Sequence, residues 1–359
     1  MEESKVLVEP NDMSRFISEH IAVNRFETKR INLLNKYNNG QNYNPSLIDA
    51  NTNILPIKCF IDEFELTDAN VCMDYFLSAT LNESCNGVRL CEWIRAFAVL
   101  RREADDYIEK AKFPQSLSIE NWCMIGNIEY WKEKLTHYGV AEDSAIKIIN
   151  TLIYDEKSLD LFDSPFILLG DKLLILPSIV KSVQGSRAML SLFARKGFNL
   201  SFAGYNFEDI ILSEFHRANI EAKRVHRKVL NAEGKEEEYE CDIAFSIGKD
   251  LYLCELKYDV QPINSMDFFE FEQKKKTTIN EQFKRISNFY LSNLHYVKEE
   301  LNLSKNWTPR KIYKLLIVVF CKHKMHNVAS YFCIGHLPSI LLYFFLKASA
   351  NLLLSPGND

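Results

Sequence analysis

Apolar residues recur at helical spacing through the first half of the chain. Between residues 91 and 112 the apolar residues Trp93, Ile94, Phe97, Leu100 and Ile108 recur at a spacing that places them on one face of a helix. Two further helices are expected at about 124–137 and 141–153. Residues 1–85 alternate polar loops with short apolar runs and predict no clear architecture. The pattern therefore favours a mainly helical N-terminal domain over residues 1–198.

Two apolar runs near residues 165–176, PFILL and KLLIL, flank the dipeptide Gly170-Asp171. Two short runs around such a dipeptide predict a β-hairpin with a two-residue turn. A helix is expected near 180–196, ending at Gly197. Helix, hairpin and helix in this order also occur in winged-helix-like DNA readers. A hairpin that only caps a helical domain is the commoner arrangement, and the role of this domain stays open.

The periodicity changes after Gly204, where strands alternate with helices. The expected order is a helix at 206–218, strands at 221–230, 239–247 and 251–258, a helix at about 278–295, strands at 314–321 and 330–334, and a final helix. Strands that alternate with helices indicate an α/β fold. We therefore expect a second domain over residues 199–359 with an α-β-β-β-α-β core.

Composition narrows the class of protein. The chain has 359 residues, 47% of them hydrophobic and 25% charged, with a formal net charge of -5. These values are typical of a globular protein, and the length suggests two domains. The first residues lack a secretory signal pattern, and an apolar run at 340–346 stops at Lys347, which favours a cytoplasmic location over a membrane span. Nine scattered cysteines without a C-x-x-C pair favour reduced thiols over a zinc site.

Three charged residues converge near one end of the second and third strands. If Gly248 and Lys249 form the turn, Asp242 lies opposite Glu255, and Lys257 shares the face of Glu255. Opposed β-carbons are about 4.5–5.5 Å apart, so two bare carboxylates there repel each other unless a cation lies between them. Oxygen ligands with room for water are what Mg²⁺ prefers. The alternative is a solvated hairpin end in which Lys257 makes an ordinary salt bridge.

Two helical residues add to this group. Glu208 lies one turn from Ile211 and is expected to lean toward the buried face, although an acid in a first helical turn is also favoured by the helix dipole alone. Gln282 lies on the border of the apolar stripe of the helix at 278–295. Its alternative interpretation is a boundary polar residue without a functional role.

The ordered set of a helical Glu208, a strand Asp242, a strand Glu255-Leu256-Lys257 and a helical Gln282 resembles the PD-(D/E)XK nuclease superfamily, which has the restriction-endonuclease-like fold. The resemblance covers about residues 200–325. The segment Gly204-Tyr-Asn-Phe-Glu208 is similar to the start of the Holliday-junction-resolvase and nuclease-related branches. One departure is that Cys241, rather than proline, precedes Asp242.

The resemblance implies a restriction-endonuclease-like mixed sheet and a Mg²⁺-dependent endonuclease, with Mn²⁺ able to substitute. Asp242, Glu255 and the backbone carbonyl of Leu256 would hold the metal, and Lys257 would orient the attacking water. Glu208 would bind a water of the metal or a second ion, and Gln282 would steady Lys257 or a phosphate. DNA is the expected substrate, in restriction, anti-phage defence or repair.

Other functions remain open for the same residues. One is a nucleic-acid-binding module that keeps the fold without catalysis, and another is an interaction protein in which the charged residues form only salt bridges. A homodimer is expected because nucleases of this kind often pair to cut both strands. The N-terminal domain is a possible site for a protein partner.

Basic residues surround the proposed site. Residues 259–330 carry 12 lysines and arginines against 7 acidic residues, in a chain that is acidic overall. Such a local excess predicts a groove for a polyanion, although solvated faces are the simpler explanation of a charge run. His323 and His326 lack a nearby acid to complete a metal site, and no Gly-rich phosphate loop suggests use of ATP. The expected nucleic-acid contacts are Lys223, Arg224, Arg227, Lys274, Lys275, Lys276, Lys284 and Arg285.

Overall fold

A computed structural model describes most of the chain. The described residues are 24, 26–35, 59–78, 80–110, 122–158, 160–231, 233–258, 269, 273, 277–319 and 331–334. They fall into two compact units that divide between Ser201 and Phe202. Together the units form a mixed α/β protein. None of the helices in these ranges combines the length and the apolar character that crossing a bilayer requires.

The first unit is mainly helical, with a two-stranded and a three-stranded sheet. Its elements are α1 (26–35), α2 (Glu63–Phe76), β1 (Ser84–Cys85), β2 (Val88–Arg89), α3 (Leu90–Lys110), β3 (Met124–Gly126), α4 (Ile128–His137), α5 (Glu142–Thr151), β4 (Ile167–Leu169), β5 (Lys172–Ile175), α6 (Pro177–Lys181) and α7 (Gly185–Lys196).

The hairpin around Gly170-Asp171 is confirmed, since Leu169 pairs with Lys172 across the turn. The expected helix at 124–137 is wrong in its first residues, which form β3 and pair with β5. The helix begins only after Asn127, whose side chain accepts a hydrogen bond from the amide of Tyr130 and so caps it. The helix expected near 180–196 is divided into α6 and α7, and α7 ends at Gly197 in the left-handed conformation (φ 66°).

A buried carboxylate connects helices of the first unit. Asp68 of α2 accepts hydrogen bonds from the amides of Gly185 and Ser186, at 3.1 and 2.8 Å, at the start of α7. Arg101 of α3 lies 3.3 Å from the same carboxylate. Asp68 therefore caps α7 from another helix, which satisfies amide groups that α7 itself leaves unpaired.

The second unit is built on a five-stranded mixed sheet with the order β10-β9-β8-β7-β6. Strands β6, β7 and β8 are antiparallel neighbours, whereas β8, β9 and β10 are parallel. The elements are α8 (Ser201–Arg217), β6 (Ala222–Leu230), β7 (Glu236–Ile247), β8 (Asp250–Lys257), a π-helix (Thr278–Phe283), α9 (Lys284–Ser292), α10 (Leu294–Glu300), β9 (Lys311–Val319) and β10 (Tyr331–Ile334).

Both faces of this sheet are buried near its centre. On one face Ala244 and Leu253 pack with Ile286 and Tyr290 of α9. On the other face Phe245 lies between Phe215 of α8 and Tyr252, with ring centroids 4.6 and 4.7 Å apart. The centre of the sheet is therefore apolar on both sides, and a charged side chain there is costly unless it is paired.

Two helix predictions in the second unit need correction. Helix α8 begins at Ser201, five residues earlier than expected, where the side chain of Asn199 accepts a hydrogen bond from the Ser201 amide. Glu208 consequently lies in the body of the helix, not in its first turn. The helix expected at 278–295 begins as a π-helix and is interrupted at Asn293. The expected final helix lies outside the described residues.

Candidate functional site

The hairpin of β7 and β8 has the register that the sequence predicts. Ile247 pairs with Asp250, and the ladder continues to the pair Ile243 and Cys254. Gly248 occupies the turn with a φ of 60°, a conformation that glycine adopts without strain. The turn therefore brings the end of β8 that carries Glu255 beside the part of β7 that carries Asp242.

The expected direct opposition of Asp242 and Glu255 is not among the ladder pairs of these two described strands, and a β-bulge explains why. Across β6 and β7, Lys223 pairs with Ala244 and Val225 pairs with Cys241, so β7 has one extra residue there. Cys241 and Ala244, three residues apart, accordingly belong to the same apolar cluster. Asp242 lies inside this irregularity, and bulges commonly redirect a side chain beside an active site.

Asp242 is held against β8 by a backbone hydrogen bond. The amide of Leu256 donates to Asp242 Oδ2 at 2.6 Å. Leu256 follows Glu255 directly, so the bond fixes the Asp242 carboxylate next to the second acid of the site. The sequence prediction gave Leu256 a role through its carbonyl, and the structure adds its amide as the group that orients Asp242.

Glu255 is a buried carboxylate with incomplete bonding. Its side chain is only 1% exposed. Lys257 Nζ lies 2.8 Å from Glu255 Oε1 as an ion pair, but Glu255 Oε2 accepts no hydrogen bond from the described residues. Because a buried ionised carboxylate needs partners, Glu255 has coordination capacity left for a ligand.

The pKa values of Asp242 and Glu255 reflect their burial and the charges near them. Burial raises the pKa of Asp242, and the charges of Glu255 and Glu208 add to the rise, while the Leu256 amide and Lys257 oppose it. Burial also raises the pKa of Glu255, against the effect of Lys257. The ionised form of each group is therefore less favourable than in water, and an added positive charge would stabilise it.

Glu208 joins this group from α8. Its carboxylate contacts Arg224 of β6, with 2.8 Å between Oε2 and Nε, and the same guanidinium contacts Asp209 Oδ1 at 2.9 Å. Burial raises the pKa of Glu208 despite the arginine, and Glu240 and Asp209 contribute. The sequence predicts that Arg224 contacts nucleic acid, whereas in the structure it pairs with Glu208, an acid of the site.

Glu240 is a further acid near the site, and it was not among the residues predicted from the sequence. Its charge raises the pKa of both Glu208 and Glu255. The signal was present in the chain, because Glu238, Glu240 and Asp242 alternate along β7. A strand with acids at every second residue places them on one face of the sheet until a bulge intervenes.

Gln282 is not joined to the carboxylates by any hydrogen bond among the described residues, and its side chain is exposed on the π-helix. The expectation that it borders the buried face assumed 3.6 residues per turn, and a π-helix with its wider turn shifts the faces. Phe283, the next residue, takes a buried position. The structure therefore brings Asp242, Glu255, Lys257 and Glu208 together and leaves Gln282 apart from them.

Several of the basic residues expected to contact nucleic acid are bound within the chain. Lys223 Nζ donates to the carbonyl of Glu300 at 2.6 Å. Arg227 forms ion pairs with Glu299 and Glu300 at 3.1 and 2.9 Å. Arg285 lies over the ring of Tyr239, 4.9 Å from its centroid. Lys284 is exposed, and Lys274, Lys275, Lys276, His323 and His326 lie outside the described residues.

The capacity of the site for a metal rests on two carboxylates. Among the described residues, no group of three or more His, Cys, Asp or Glu side chains is arranged to hold a metal ion. Mg²⁺, however, is commonly bound through one or two carboxylates with water and phosphate as its other ligands. Asp242 and the incompletely bonded Glu255 fit this requirement.

Comparison with known proteins gives no relative for this chain. No family model, curated protein or solved structure matches it.

Proposed function

We propose that the second unit is a metal-dependent nuclease that hydrolyses phosphodiester bonds, with DNA as the expected substrate. The observation that carries this proposal is the buried, incompletely bonded Glu255 beside Asp242 and Lys257. A buried acid next to a half-buried one is costly unless positive charge compensates them, and a bound metal ion would add to the charge that Lys257 supplies. The order of α8, three antiparallel strands, a helical segment and the parallel β9 supports a restriction-endonuclease-like core.

Each residue of the site has a role in this proposal. Asp242 and Glu255 would hold Mg²⁺, with Asp242 oriented by the Leu256 amide. The chemistry that Mg²⁺ supplies when bound at such a site is polarisation of a phosphate oxygen and a lower pKa of a bound water. The ammonium of Lys257 would stabilise negative charge that develops on the phosphate. Glu208, held by Arg224, would orient a water at the edge of the carboxylate pair.

The burial of Glu255 strengthens the electrostatic interactions of the proposed site. Glu255 lies in the sheet beside the apolar residues Cys254 and Leu256, where water does not screen its charge. Electrostatic interactions are stronger in such surroundings than in bulk water. Lys257 and the two carboxylates are therefore placed where a small number of charges has a large effect on a bound phosphate.

The test is a cleavage assay on supercoiled, linear and single-stranded DNA and on RNA, with EDTA, Mg²⁺ or Mn²⁺. We expect metal-dependent cleavage that Lys257→Met abolishes. Lys249→Met is the matched control, because it removes the same charge from the exposed turn at the other end of β8 and should leave cleavage unchanged.

The other outcomes separate the competing functions. Binding of nucleic acid without cleavage by the wild-type protein would identify a binding module. Neither binding nor cleavage would favour an interaction protein in which the charges are structural. Cleavage that persists in Lys257→Met would remove Lys257 and the proposed site from the mechanism.

A further inference from the structure

Lys314 lies on the sheet face that also carries Leu253 and Glu255. In the pairing of β8 with β9, Leu251 is opposite Ile312 and Leu253 is opposite Lys314. Leu251, Leu253 and Ile312 all pack in the cluster beneath α9 and α10. Because side chains alternate along a strand, Lys314 shares this face with Ile312.

Helix α9 contributes two polar residues at the same place. Lys314 Nζ lies 3.4 Å from Asn288 Oδ1. Lys284 precedes Asn288 by four residues, so the two side chains are neighbours on the helix surface. Lys284, Asn288 and Lys314 thus form one group between α9 and β9.

The two lysines of this group lack compensation within the described part of the chain. Neither has a carboxylate partner among those residues, unlike Arg224 and Arg227. Lys314 is half-buried, and burial together with the charge of Lys284 lowers the pKa of Lys314. Because the exposed Lys284 lies near the half-buried Lys314, a bound anion would relieve both the repulsion between the two charges and the desolvation of Lys314.

The group also lies close to the carboxylate pair. Glu255 follows Leu253 by two residues on β8, so it is on the same face and diagonal to Lys314 on the neighbouring strand. With strands about 4.8 Å apart and a rise of about 3.3 Å per residue, diagonal neighbours on adjacent strands are about 8 Å apart. This distance is of the order of the spacing between successive phosphates along a nucleic-acid strand.

We propose that Lys284, Asn288 and Lys314 form a phosphate-binding subsite, which holds a backbone phosphate of nucleic acid next to the one at Asp242 and Glu255. The identity of the ligand as nucleic acid rests on the proposed function. Lys284 and Lys314 would contribute their charges, and the amide nitrogen of Asn288 would donate to a phosphate oxygen. The subsite would fix the position of the nucleic-acid strand on the enzyme without recognising its base sequence.

The test measures binding of a labelled 12-nucleotide single strand and a 12-base-pair duplex by fluorescence anisotropy in EDTA, over a series of NaCl concentrations. We expect Lys284→Gln and Lys314→Gln each to weaken binding about five- to tenfold at low salt. Each should also reduce the slope of log K against log salt by about 0.7–0.9, the contribution of one phosphate contact. Lys314→Arg should retain binding, and Lys249→Gln is the charge-matched control, expected to bind like the wild type.

A second arm distinguishes the sources of phosphate. Inorganic phosphate or a mononucleotide that binds as tightly as the oligonucleotide, with the same dependence on both lysines, would overturn the assignment to nucleic acid. Unchanged affinity and salt slope in the two Gln variants, confirmed as folded by thermal melts, would overturn the subsite itself.

The subsite and the nuclease activity can fail separately. Metal-dependent cleavage with unchanged binding in the Gln variants would reject only the subsite. Lysine-dependent binding by a wild-type protein that does not cleave would support the subsite and reject the proposed hydrolysis.

Discussion

Arg224 Nε lies 2.8 Å from Glu208 Oε2, and its guanidinium also contacts Asp209, so an arginine of β6 holds an acid of α8 beside the carboxylate site. Glu208 in turn raises the pKa of both Asp242 and Glu255. Arg224 therefore adds a positive charge near the proposed cation site. It also pairs with Glu208, an acid that could contribute to binding the cation.

We expect Arg224→Gln to tighten Mn²⁺ binding by the metal-free protein. The substitution removes a competing charge and releases Glu208, and a unit charge near a protein surface is worth about 1 kcal/mol at such separations, or roughly fivefold. Isothermal titration calorimetry measures the change. Arg217→Gln is the control: Arg217 pairs with Glu214 on the same helix, nine residues from Glu208, or about 13 Å along the axis. Equal affinities in both variants and the wild type would contradict the prediction.

Asp242→Asn should increase the stability of the protein and abolish its cleavage activity. It removes the half-buried charge next to the buried Glu255 and keeps an oxygen that can accept from the Leu256 amide, so we expect metal-free protein at pH 8 to gain about 1–3 kcal/mol in unfolding free energy. Cleavage should be lost. Urea denaturation in EDTA and the cleavage assay measure the two effects. Glu236→Gln changes an exposed acid of the same strand, paired with Lys228, and should alter neither. Loss of stability with intact cleavage would argue for a purely structural Asp242.

The raised pKa of Asp242 predicts that the stability of the folded protein depends on pH. Burial and Glu255 raise the pKa of Asp242 to about 8, whereas in the unfolded chain it is near 3.9. Between these values the folded protein binds more protons than the unfolded chain, so the stability contributed by this group falls as pH rises from about 4 to 8.

Urea denaturation at pH 5.5, 7.0 and 8.5 in EDTA should therefore show a decline that Asp242→Asn flattens. Added Mg²⁺ should oppose the decline, because it binds the ionised carboxylates of the folded protein. Its stabilising effect should grow with pH. Identical pH profiles for the wild type and Asp242→Asn would show that this carboxyl group does not cause the dependence.

The register of the central hairpin could be predicted because it depends on neighbouring residues. Gly248 marks the turn, and alternation of apolar residues on either side fixes the pairing from Ile247 and Asp250 outward. The proximity of Asp242, Glu255 and Lys257 follows from that register. Such local patterns are visible in a single sequence.

The bulge at Asp242 could not be predicted in the same way. It arises from the pairing of β7 with β6, where Val225 meets Cys241, and no glycine or other local signal marks the extra residue. The three-residue strand β3 was missed for a similar reason, since its conformation depends on pairing with β5. The exposure of Gln282 depends on a π-helix, whose wider turn places residues on other faces than the 3.6-residue period of an α-helix predicts.

The first unit offers a prediction that does not depend on the proposed function. Arg101 is 3% exposed, lies 3.3 Å from the buried Asp68 and donates to the carbonyl of Val183 at 3.0 Å. Arg101→Met leaves the Asp68 charge with backbone amides as its main partners, so we expect a loss of about 3–5 kcal/mol. Arg102→Met is the neighbouring control, because Arg102 is 55% exposed and its pair with Asp106 spans 3.5 Å.

That control should cost no more than about 0.5 kcal/mol, as exposed ion pairs do. Adding Asp68→Asn to Arg101→Met should recover part of the loss, since the double variant no longer buries an uncompensated charge. Urea denaturation monitored by tryptophan fluorescence follows this unit through the buried Trp93 and Trp131. Equal losses in Arg101→Met and Arg102→Met would show that Asp68 does not depend on Arg101, and that the amides of α7 alone compensate its charge.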